Sequence, residues 1–142
     1  MVYKPSYFQI YELVPAETFA SVPKHILWNL FDNRILITAD WLRKRYGKAI
    51  ANTWYWKGEH QYRGWRPGNC KIGAEYSQHK FGRALDLVFT EISAYDIRQN
   101  IFADPFHPDF EFITCLETNI DWLHFDCRNW NKQKHGILTV KP

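Results

Sequence analysis

Three observations predict an α+β domain, an antiparallel sheet flanked by helices. Apolar residues recur at helical spacing early in the chain, and short alternating stretches follow late in it. A long glycine-bearing, polar segment separates the two. With no internal repeat, low-complexity tract or linker-like boundary, the 142 residues read as a single domain, 1–142. A chain of this length buries roughly 68–70% of its unfolded surface, so it needs no disulfide staples.

Taken in order, the first segment, MVYKPSYFQIYELVPAETF, mixes polar and apolar groups and lacks the apolar run of a signal peptide. From Pro23 to Tyr46, Ile26, Leu27, Leu30, Phe31, Ile35, Ile37, Trp41 and Leu42 recur every three to four residues, which predicts helix. Arg43, Lys44 and Arg45 followed by Gly47 form a helix end. Ala49 to Trp56 is β-like by content, and Lys57 to Tyr76 reads as a loop long enough to be functional. Arg83 to Phe89 predicts a strand with Leu85, Leu87 and Phe89 on one face and Ala84, Asp86 and Val88 on the other. Ser93 to Phe102 predicts a short helix with Ser93 as N-cap. Residues 110–116, 122–128 and Ile137 to Val140 read as further strands.

Composition narrows the partners. The formal charge of +3 is too small for a nucleic-acid-binding composition and gives only a slight bias towards anionic partners. No stretch approaches the length of a membrane span, so no membrane insertion is expected. Cys70, Cys115 and Cys127 have no C-x-x-C spacing and read as reduced thiols made in a cytoplasm, with one disulfide plus a spare thiol as the alternative. Trp54, Trp56, Trp65, Trp122 and Trp130 surround the motif segments; most belong to a core, with one or two expected to wall a cleft.

Two clusters carry chemistry, S-Q-H-K-F-G-R-A-L-D from Ser77 to Asp86 and D-W-L-H-F-D from Asp121 to Asp126. Together they offer His79, Asp86 and His124, two imidazoles and a carboxylate. Catalytic zinc uses such a ligand set, keeping its fourth position open for water. Asp86 and His124 fall on strands that can be neighbours, and Gly82 lets the chain turn between His79 and the strand of Asp86. Asp126 shares the strand face of His124, where it either orients an imidazole or stands as an exposed ion-pairing carboxylate. His25, His60, His107 and His135 have no partnered carboxylate at a telling spacing.

S-x-H-x-x-G-x-A-x-D followed some forty residues later by D-x-x-H resembles the zinc D-Ala-D-Ala peptidase and hedgehog-fold family. That family includes D-alanyl-D-alanine carboxypeptidases, dipeptidases and phage L-alanyl-D-glutamate endolysins. Ser77, His79, Gly82, Ala84 and Asp86 match the first motif and His124 the second, over about half the chain from Tyr62 to Arg128. The resemblance implies a hedgehog/DD-peptidase-like fold and Zn2+ held by His79, Asp86 and His124. Zinc so held lowers the pKa of bound water towards about 7. It also implies a carboxylate as general base, at Asp121 or, alternatively, at Glu117 upstream. An arginine that grips the substrate would be Arg66, with Arg63 the alternative. Ser77 either hydrogen-bonds within the site or caps a turn.

The function so implied is hydrolysis of peptidoglycan stem peptides, by endolysin-type or D-Ala-D-Ala-type cleavage, by a monomer reaching the wall after lysis or within a phage particle. Two alternatives from another class stay open: a zinc-stabilised binding module without turnover, and a virion or tail component.

Overall fold

Alternation along the central strands decides which face of the sheet is dry and which carries polar groups. The computed structural model describes residues 1–142. Its helices are α1 (Ala16–Ser21), α2 (Lys24–Leu27), α3 (Asn33–Tyr46), α4 (Ala94–Ala103) and α5 (Lys132–His135). Its strands are β1 (Ala49–Ile50), β2 (Ala84–Phe89), β3 (Cys115–Glu117), β4 (Leu123–Asp126) and β5 (Leu138–Val140), in the order β1-β2-β4-β3-β5. The architecture is α+β, as the periodicities predict. The sheet is mixed rather than antiparallel, because β5 runs parallel to β3. The chain reverses from β3 into β4, and residues 127–137, including α5, reverse it again and place it on the outer side of β3.

The predicted helix from Pro23 to Tyr46 is broken. After α2 the chain makes a 3-10 turn over Trp28–Leu30 and extends at Phe31. A new helix, α3, starts because the Asp32 side chain accepts from the backbone N–H of Arg34 at 3.0 Å. Its own backbone N–H donates to the Gly82 carbonyl at 2.9 Å. Hydrophobic spacing passes through this break because both sides of it pack on the same core: Trp28 and Leu30 before, Ile35 and Leu36 after. The basic turn Arg43–Arg45 ends α3 before Gly47, which has φ +87°.

Strand lengths shrink where side chains compete with the ladder. Only Ala49 and Ile50 of the predicted 49–56 stretch pair, since the Asn52 side chain accepts from Arg63 N–H and donates to the Val14 carbonyl. Trp54–Trp56 becomes a 3-10 turn. Phe110 closes another such turn, so β3 begins only at Cys115. Ser93 caps α4 as expected, accepting from Asp96 N–H at 3.0 Å.

Leu85, Leu87, Leu116, Leu123 and Phe125 point to one side of the sheet and join Ile35, Leu36, Ala39 and Leu42 of α3 and Ile97 and Ile101 of α4 in the main core. Burying each such side chain contributes about 1.5–3 kcal/mol. By strand alternation the opposite face receives Asp86, Cys115, Glu117, His124 and Asp126.

Candidate metal centre

Asp86 on β2 and His124 on β4 lie directly opposite in the ladder, so their side chains leave the same face together. His79 arrives from a 3-10 turn, Gln78–Phe81, capped by the Ser77 hydroxyl, which accepts from His79 N–H at 3.4 Å. Gly82 ends that turn with φ +66°, and a Cβ there would collide with the Leu30 carbonyl. The helix break at Asp32 and the turn that delivers His79 are thus locked to one another.

One ligand atom from each of His79, Asp86 and His124 lies within 4.8 Å of the other two, and all three residues are buried. Hydrogen bonds fix the ring orientations. His79 Nδ1 is 2.7 Å from the Gly64 carbonyl, which can only accept, so Nδ1 carries the proton. Its Nε2 therefore presents a lone pair inward, buried and without a hydrogen-bond partner, 3.3 Å from Asp86 Oδ2. Gly64 is itself pinned, because any Cβ there would meet the Leu13 carbonyl. His124 sets Nδ1 2.8 Å from Asp86 Oδ1 and donates from Nε2 to Asp126 Oδ2 at 3.1 Å. Two nitrogens and a carboxylate, one nitrogen left unsatisfied in the interior, suit a divalent cation.

Electrostatics agree with this placement. Burial drives the His79 pKa down, more than the neighbouring Asp86 raises it, so that ring is neutral. Burial also opposes protonation of His124, but its bonds to Asp126 and Asp86 prevail and raise it to about 9. Asp86 would be pushed up by burial, yet the two histidines hold it well below the usual carboxylate range.

Around the cluster opens a cleft of about 500 Å³, whose walls include Tyr76, Glu117, Trp122, Arg128 and Lys141. Of the five tryptophans near the motifs, only Trp122 lines it. Glu117 Oε2 lies 3.8 Å from His124 Nδ1.

Asp121, the residue expected as general base, is not among those that line this cleft. It is exposed and borders a different hollow beside Tyr95 and Arg98. It lies in the bend that precedes β4, outside the strand that carries His124. Glu117 gains its place by register across β3 and β4, which linear spacing does not reveal.

Of the two arginines, the fold brings Arg66 to the cleft. It is buried, with Nη2 3.3 Å from Asp86 Oδ2, while Nε and Nη1 donate to the carbonyls of Tyr62 and Ile72. Arg63 turns aside, its Nη1 donating to the Ala51 carbonyl, although its own carbonyl accepts from Asp86 N–H. Asp126 is wholly buried rather than exposed. Arg128, which the sequence reading passed over, binds Asp126 through both Nε and Nη2. Its signal was present: residues 124, 126 and 128 share one strand parity. The three cysteines are free thiols, and burial pushes Cys115 and Cys127 up to about 12.

No family model, curated protein or solved structure matches this chain. No helix is long and apolar enough to cross a membrane.

Proposed function

We propose that this chain is a zinc-dependent peptidase of the DD-peptidase and hedgehog-fold group that hydrolyses peptidoglycan stem peptides. The observation that carries the reading is the buried His79–Asp86–His124 cluster at the floor of an open cleft, with the Glu117 carboxylate beside it. Together with the spacing of the S-x-H-x-x-G-x-A-x-D motif, this favours a hydrolase over a purely structural metal site, which needs no adjacent base.

Zinc is favoured among divalent ions by the N, N, O⁻ donor set, and when bound it supplies Lewis acidity and a water acidified towards about pH 7. The chain supplies the rest. Glu117 accepts the proton of the attacking water and returns it to the leaving amine. Arg66, its donors engaged by Asp86 and two carbonyls, contributes positive charge at the cleft floor rather than a free bidentate grip. Asp126 holds His124, and Ser77 shapes the turn that presents His79.

Purified protein incubated with muropeptides tests this, with mass spectrometry identifying the bond cut. Activity abolished by a chelator and restored by zinc, but lost irrecoverably in His124→Ala, is the expected result. Cleavage indifferent to chelation refutes the mechanism, and zinc binding without any turnover favours the binding module. The mass of the products separates L-alanyl-D-glutamate cleavage from D-Ala-D-Ala trimming.

A further inference from the structure

We propose that Arg128 is a positioning residue for the metal centre: its guanidinium fork fixes Asp126, and Asp126 fixes the His124 ring with Nδ1 towards the ion. The inference rests on the metal-site reading above and adds to it a cleft-wall residue that acts on the ion only through Asp126 and His124.

The geometry forms a chain of three links. Arg128 Nε donates to Asp126 Oδ1 at 2.8 Å and Nη2 to Oδ2 at 2.6 Å, a parallel two-point clamp. The backbone N–H of Arg128 adds a third bond to Oδ1 at 3.2 Å. Asp126 Oδ2 then accepts from His124 Nε2 at 3.1 Å, leaving Nδ1 as the ring atom that faces Asp86. The Arg128 backbone is held in turn, because Thr114 Oγ1 donates to its carbonyl at 2.7 Å.

An imidazole offers two nitrogens to a metal, and which one binds is set by the partner of the other. Asp126 is that partner, and with its side chain fully buried it cannot be reoriented by solvent. A carboxylate alone in that position would be free to rotate about its terminal torsion. The planar fork of an arginine removes this freedom; a lysine supplies the charge without the plane. Mere neutralisation of a buried carboxylate would be satisfied by either.

Zinc affinity, measured by competition with a chromophoric chelator, tests the assignment in wild type, Arg128→Lys and Arg128→Gln. Both variants should bind zinc 10- to 100-fold more weakly, the range for lost outer-shell partners of metal-bound histidines. Arg128→Lys at wild-type affinity overturns the proposal, since charge alone would then suffice. Where neither variant folds, the wild-type protein decides through long-range ¹⁵N imidazole spectra of the zinc-loaded form. His124 metallated on Nδ1 and protonated on Nε2 supports the proposal, and the reverse overturns it. Wild type that binds no zinc overturns the underlying metal reading as well, which distinguishes that failure from the others.

Discussion

The two faces of the central sheet are made from the same strands and differ in what their alternating residues do. On one face Leu85, Leu87, Leu123 and Phe125 pack against α3 and α4 and stabilise the fold. On the other, Asp86, His124 and Asp126 are buried nearly as deeply but are polar and charged. Removing such groups from water costs several kcal/mol per ion unless partners compensate. Here Asp126 is compensated within the chain by Arg128, whereas His79 Nε2 is left without a hydrogen bond. The first face carries the apolar core and the second the candidate metal cluster.

Breaking the second face should act on activity and spare the fold. Glu117→Gln is expected to lower kcat by about 10²–10⁴-fold, with melting temperature nearly unchanged. Asp121→Asn should stay within about twofold of wild type. Steady-state assays of the pair on one muropeptide substrate measure both, and the opposite pattern would return the base to Asp121.

Breaking the first face should do the reverse. Leu87→Ala, at a fully buried position, is expected to cost about 2–5 kcal/mol in denaturant unfolding. Zinc affinity of the fraction that remains folded should be retained. Co-loss of affinity at temperatures well below the unfolding transition would show that the faces are coupled.

Metal should lessen the contrast between the faces. At a free zinc concentration 100 times Kd, the folded state gains about 2.7 kcal/mol, so the thermal transition should rise on adding zinc and fall with chelator. His79→Ala should abolish that rise.

The smallest effect is in pH. Without metal, His124 titrates at about 9 against an ordinary 6.5, so its ring is protonated at neutral pH and zinc must displace that proton. His79, shifted down, contributes none. Zinc affinity should therefore rise about tenfold per pH unit through the neutral range and flatten above about 9. The sign for the metal-free fold is opposite. The raised pKa stabilises it fully below 6.5, and that contribution is lost as pH rises through about 9. Calorimetry in buffers of different ionisation enthalpy counts the released proton, and a count of zero at pH 7 contradicts the assignment.

The linear sequence by itself determined the α+β class, the alternation of β2, the Ser93 cap and the trio His79, Asp86 and His124. The class, the alternation and the cap rest on short-range rules, a period of two or 3.6 and a local hydrogen bond, whereas the trio was legible through its motif spacing and the family resemblance that spacing carries. Tertiary structure decided what depends on pairing between distant segments. Asp32 breaks the early helix while its N–H meets Gly82, fifty residues away in the sequence. The passage through α5 makes β5 parallel to β3. Cross-strand register brings Glu117 to His124, while Asp121 stays in the bend before β4, beside another hollow. Residue spacing along the chain fixes parity within one strand, but the partner a side chain meets is set by which strand lies beside it and in what register. That choice belongs to the folded sheet.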